Sequence, residues 1–228
     1  MPRYLFIRRR RRWPQILFTL ALALFTGIVG IFLLNGSQQQ AGFFFNSGDK
    51  QSGPPWIYGN NAARFTLVTF ADFECPYCQV MIPLLLRWVK KNPDVALQWH
   101  NLPLPSHEPM ASYEARLAEC QGAVNGTTAF WETVTWIYMH TRGEGRGPAI
   151  VSPHLDTAVQ TCLDSEQTAA IVRTQSHEAM ADGITATPTL RLLDHKTGRS
   201  LTLEGVVNDD VLLSALDWLS GASEIADP

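Results

Sequence analysis

The sequence predicts an α/β domain ordered βαβ, a helical insertion, then ββα, preceded by one N-terminal transmembrane helix. Three observations predict it. Residues 16–34 run without a charge directly after six arginines. An apolar run with β-branched and aromatic content, Phe65–Phe70, leads through Cys75-Pro76-Tyr77-Cys78 into helical spacing, and Val95–His100 reads as a second strand. After a long stretch of helical character, strand patterning resumes at Thr189.

Arg3 and Arg8–Arg12 form a basic tail over residues 1–13, and the apolar segment within 14–34 predicts a signal anchor. As a helix, residues 16–34 reach about 28 Å, close to the thickness of a bilayer core. Arginine on one side only orients the tail to the cytoplasm and residues 35–228 to the periplasm or cell exterior. A cleaved signal peptide is the alternative, but the run exceeds the usual h-region, and the stretch leading to Ala41 is a poor small-x-small cleavage site. Residues 35–55 are rich in Gly, Gln, Ser and Pro and read as a linker. Every Asp and Glu lies beyond the anchor, so the rest of the chain carries 12 basic against 21 acidic residues, a net charge of −9. Such a balance leaves no basic stripe for nucleic acid.

Residues 56–228 are long enough for one domain with its own core. Phe65–Phe70 reads as a central strand, and Pro76–Lys91 as a helix that Pro83 should kink. A turn at Asn92-Pro93-Asp94 leads to the strand Val95–His100. The insertion, about 107–183, carries helices predicted at Pro109–Val124, Thr128–His140, Pro153–Leu163 and Ser165–Asp182, with Gly183 as a C-terminal cap. Thr189–Leu193 and Ser200–Glu204 form a strand pair, and Asn208–Leu219 closes the domain as a helix. Trp88, Trp131, Trp136 and Trp218 fall at helical spacing and are expected in the core, whereas Trp56 is expected to pack over the domain edge. His107 reads as a helix-start or surface histidine.

The pair Cys75 and Cys78 carries the chemistry. The thiolate is the reactive form of cysteine, and a helix N-terminus offers unpaired N–H groups and a positive dipole end that favour it. Cys78, one turn later, can attack a mixed disulfide at Cys75 and release the partner. Pro76 fits the first turn, where no N–H is needed. Half of a zinc site is the competing reading of C-x-x-C, but Cys120 and Cys162 lie far apart and the six histidines are scattered singly, so no metal is expected. Four cysteines suit an oxidising compartment.

Phe70-Ala71-Asp72-Phe73-Glu74-Cys75-Pro76-Tyr77-Cys78, and Gly183-Ile184-Thr185-Ala186-Thr187-Pro188-Thr189 before the third strand, resemble the DsbA-like exported thiol–disulfide oxidoreductases. These have a thioredoxin-like fold with a helical insertion, and the resemblance covers roughly residues 56–219. It implies that Cys75 is the nucleophile and Cys78 the resolving cysteine, with Pro76 and Tyr77 tuning the potential. It also implies that Pro188 is cis and that Thr187 offers its backbone to an extended substrate. A second, structural disulfide between Cys120 and Cys162 is implied too, against the alternative of two buried, unpaired thiols. The sequence departs from the family where its oxidases often carry an acidic residue beneath the site: Thr69 stands there, with Asp72 and Glu74 nearer the motif.

The expected function is a membrane-anchored thiol–disulfide oxidoreductase, acting as an oxidase on exported cysteine-containing proteins. It needs no cofactor and is reset by a membrane redox partner. Reductase or isomerase activity is the alternative within the class, favoured by Pro76-Tyr77 and Thr187. A non-catalytic client-binding module is the alternative outside it.

Overall fold

The computed structural model describes residues 53–150 and 155–221, and the anchor predicted at 14–34 lies outside them. Among the described residues no helix is long and apolar enough to cross a membrane. The elements are β1 (Ile57–Gly59), β2 (Phe65–Ala71), α1 (Pro76–Lys91), β3 (Val95–Asn101), α2 (Met110–Asn125), α3 (Thr127–His140), α4 (Thr157–Leu163), α5 (Glu166–Ala181), β4 (Thr189–Asp194), β5 (Ser200–Glu204) and α6 (Asp209–Gly221). This is the βαβ, helical insertion, ββα order of a thioredoxin-like fold.

The strands form one sheet in the order β1-β3-β2-β4-β5. β2 and β3 run parallel because α1 crosses between them, and the other pairs are antiparallel. The register matters for the site. Phe70, next to the end of β2, pairs with Thr189, the first residue of β4. The segment leaving β2 and the segment entering β4 therefore meet at one end of the sheet.

α1 runs unbroken through Pro83, with Cys78, Met81, Ile82, Leu85, Trp88 and Val89 buried. Behind it, Phe73, Trp99, Phe130, Trp131 and Tyr138 pack with ring centroids 5.0–6.3 Å apart. Trp56 is a correction to the sequence reading: it is fully buried, stacked 4.9 Å from Phe130. Gly122 makes room for it, since a Cβ there would lie 2.5 Å from the indole. Its Nε1 donates to Glu119 Oε2 at 2.7 Å, which lets an indole sit in the core with its polar atom satisfied. Trp218 is corrected in the opposite sense. It is 54% exposed, with the Arg199 guanidinium 4.0 Å above its ring, and Trp136 is only partly buried. β1 is an addition the sequence did not signal, being three residues long.

Candidate active site

After β2, Asp72-Phe73-Glu74 carries the chain to Cys75, which caps α1 in an extended conformation (φ −77°, ψ 120°) with Pro76 as the first helical residue. The Cys75 carbonyl accepts the Gln79 N–H at 3.0 Å, and the Cys75 N–H donates to Asp72 O at 3.2 Å. Both thiols are free and buried, at 3% exposure for Cys75 and 0% for Cys78. Electrostatics separates them more than exposure does. A hydrogen bond from the Cys78 thiol is the largest influence on Cys75. Burial opposes it, while Thr187 and the backbone N–H groups of Cys78 and Tyr77 assist, and the result is a Cys75 pKa lowered to about 5. Burial pushes Cys78 the other way, well above the ordinary thiol value. At pH 7 a pKa of 5 means about 99% thiolate. Tyr77 points outward and is 66% exposed.

Across the sheet end, the Thr187–Pro188 peptide bond is cis. The Thr187 carbonyl lies 3.4 Å from Cys75 Sγ. The Thr187 hydroxyl is buried and has no partner at hydrogen-bonding geometry among the described residues. It helps to lower the Cys75 pKa, a role separate from the backbone contact with an extended substrate that the sequence reading gave Thr187.

Buried acids surround the motif from below. Thr69 is fully buried with a hydroxyl that has no partner among the described residues, and the carboxyls come from elsewhere. Asp72 is 1% exposed. Its Oδ1 accepts the Glu74 N–H at 2.7 Å, and Oδ2 accepts the Leu104 N–H and a bond from His107 Nδ1, both at 2.8 Å. Burial raises the Asp72 pKa, and these donors partly offset it. His107 is thus a support of the motif loop, which corrects its reading as a surface or helix-start histidine. The Tyr138 hydroxyl donates to Asp72 O at 3.1 Å.

Glu74 is fully buried and holds the loop after α3: its carboxylate accepts from the Thr141 hydroxyl and, at 3.0 Å, from the Gly147 N–H. Its carbonyl accepts the Glu144 N–H at 2.7 Å. Glu114 of α2, 1% exposed, has no N–H or O–H donor on either oxygen among the described residues, and its neighbour is the Glu74 carboxyl. Two anions in contact without a cation are unstable in a core. Burial first, then Glu74 and Asp72, raise the Glu114 pKa to about 9, so Glu114 holds the proton and donates to Glu74. The clue was present in the sequence: Ala111, Glu114, Ala115 and Ala118 share the i, i+3, i+4, i+7 stripe, so the acid occupies a core position. Glu119, on the same helix, accepts from Trp56 and from Asn101 Nδ2 at 2.7 Å each, and burial lifts its pKa to about 7.

Farther from the motif, Cys120 of α2 and Cys162 of α4 are joined by a disulfide. The structure therefore brings together Cys75, Cys78, Thr187 and Pro188 at one sheet end, and Cys120 and Cys162 in the insertion.

The thioredoxin family model matches residues 51–208, a span that includes the motif, the insertion and the cis-proline segment. The chain belongs to the thioredoxin family. The crystal structure of Pseudomonas aeruginosa DsbA2 superposes with a TM-score of 0.70 at 39% identity, over 76% of this chain and 97% of that one. That similarity places the chain among the DsbA-like thiol–disulfide oxidoreductases. A periplasmic thioredoxin-like protein from Salmonella enterica serovar Typhimurium shares the fold at a TM-score of 0.55 and 23% identity, over 76% of this chain and 92% of that one. Among curated proteins, the Na(+)/H(+) antiporter NhaA 1 of Salinispora arenicola is 33% identical over 90 residues, 40% of this chain. The chain spans only 13% of that relative's length, so the similarity is confined to a small part of the antiporter.

Proposed function

We propose that this DsbA-like protein exchanges disulfides with cysteine-containing proteins through Cys75 and Cys78, acting as an oxidant. Its N-terminal segment would anchor it in the inner membrane with the domain facing the periplasm. In the oxidised form a client thiolate attacks Cys75 Sγ, the Cys75–Cys78 bond breaks, and its electron pair leaves on Cys78. A second client thiolate then attacks the client sulfur of the mixed disulfide and releases Cys75 as thiolate. The client loses two electrons and gains one disulfide, and the protein is left as a dithiol. A membrane redox partner would then reoxidise it.

The observation that carries this reading is the asymmetry of the pair. Cys75, with a pKa near 5, is a good leaving group, whereas Cys78, sealed and pushed upward, is the internal resolving thiol. Pro76 and Tyr77 set the start of α1 that presents the sulfur, and Thr187 with Pro188 would position an extended client segment. The same asymmetry favours an oxidant. Relative to an ordinary thiol, a Cys75 pKa of 5 stabilises the reduced form about a hundredfold at pH 7, which shifts the potential by roughly 60 mV towards oxidising.

Oxidised protein mixed with a reduced two-cysteine peptide should transfer one disulfide per chain, and Cys75→Ser should transfer none. Equilibration with glutathione sets the direction. A potential as low as about −270 mV, that of a cytosolic thioredoxin, would make the protein a reductase instead. Absence of any exchange, with a client still bound by a Cys75→Ser, Cys78→Ser double variant, would favour a binding module.

A further inference from the structure

The loop Thr141–Gly147 forms part of the rim of the redox site. Three hydrogen bonds to Glu74 fix it, and a Cβ at Gly143 would stand 3.4 Å from Glu74 O and 3.7 Å from the Pro76 ring. Arg142 and Arg146, both exposed, clasp each other's backbone. Arg146 donates through Nε to Gly143 O at 3.0 Å and through a terminal nitrogen to Arg142 O. Arg142 donates through Nε to Gly147 O at 3.2 Å and through a terminal nitrogen to Arg146 O. Two guanidiniums are thereby held on the loop that Gly143 seats against Glu74 and Pro76, each with N–H groups left over for an outside acceptor. Glu144 reaches Arg146 at 3.5 Å, but both side chains are more than half exposed, so the pair is weak and easily exchanged. Glu108, beside the His107 backbone that packs against Gly145, is engaged by Ser112. Within the loop the two exposed guanidiniums outnumber Glu144, and the Glu74 carboxyl beneath them is buried and engaged by Thr141 and Gly147.

We propose that Arg142 and Arg146 select client segments bearing an acidic residue beside the reacting cysteine. The inference rests on the exchange reading above and names its substrate class. Guanidiniums already fixed by carbonyls give up little freedom on meeting a carboxylate, and complementary charge raises the encounter rate more than the final affinity.

Three single-cysteine peptides, differing only in Asp, Ser or Lys flanking the cysteine, are reacted with oxidised protein at low and high salt. The Asp peptide should react about tenfold faster than the Lys peptide at low ionic strength, and the gap should close near 1 M salt, where the Debye length falls to about 3 Å. In R142Q/R146Q the Asp-over-Lys ratio should fall towards one. Equal rates for the three peptides with the unaltered protein overturn the inference while leaving exchange itself intact. A ratio unchanged in R142Q/R146Q also overturns it, because the selection then resides elsewhere. Failure of all three peptides to react would reject the exchange reading, and this inference with it.

Discussion

Glu114 is a carboxyl kept neutral inside the domain, and replacing it with Gln is expected to stabilise the protein in a pH-dependent way. Its folded pKa of about 9 lies above the ordinary 4.5, so between those limits the folded chain holds a proton that the unfolded chain has released. Stability therefore falls as pH rises through this window. At pH 7 the gap from 4.5 amounts to a penalty of about 3 kcal/mol, and at pH 4 the penalty vanishes. Gln carries no titrating proton, and its amide N–H can donate to Glu74 as the protonated acid does. Glu114→Gln should thus gain about 3 kcal/mol at pH 7, or about 10 °C in Tm for a domain of this size, and gain nothing at pH 4. Urea unfolding followed by tryptophan fluorescence at the two pH values measures the difference. A variant no more stable than the parent at pH 7 would show that Glu114 is ionised and satisfied in the fold, and the shared-proton account of Glu74 and Glu114 would be wrong.

Other substitutions probe the neighbouring parts. Because the Cys78 hydrogen bond is the largest cause of the lowered Cys75 pKa, Cys78→Ala should move the pH midpoint of Cys75 alkylation upward, whereas Cys78→Ser, which keeps a donor, should move it less and accumulate mixed disulfides at Cys75. Replacing Cys120 and Cys162 by Ala opens a loop of 42 residues and should cost about 4 kcal/mol in urea unfolding while Cys75 alkylation is retained. Gly122→Ala pushes a Cβ into the Trp56 ring, and a loss of about 1–3 kcal/mol in the same assay is expected, with no loss refuting the tight seat.

The sequence made the central parts of the site legible because each has a local signature. Phe65–Phe70 is a short apolar run rich in aromatic and β-branched residues, as a buried central strand should be, Pro76 marks the helix start, and the two cysteines stand one turn apart. The helices of the insertion were legible from apolar spacing, with ends shifted by one residue where caps decide, except that α4 starts at Thr157, capped by Asp156, where Pro153 was expected. What stayed hidden depends on contacts between distant segments. His107 looks ordinary until the turn after β3 brings it to Asp72, and Trp56 looks peripheral until the gap at Gly122 admits its indole. Glu114 was passed over because a charged residue is ordinarily read as solvent-facing, and only the packing of α2 against Glu74 shows that it must carry a proton. Trp218 shows the converse: spacing places it on a helix face, but it stays more than half exposed, with the Arg199 guanidinium over its ring.

The central claim is that Cys75 is a thiolate poised for exchange while Cys78 is not, and the pH dependence of alkylation tests it most directly. In the reduced protein, iodoacetamide should label Cys75 first, with a rate that rises through a midpoint near pH 5 and is level by pH 7, while Cys78 stays unlabelled across that range. Labelling of both thiols together, with a midpoint at about 8.5 as for a free cysteine, would contradict the account.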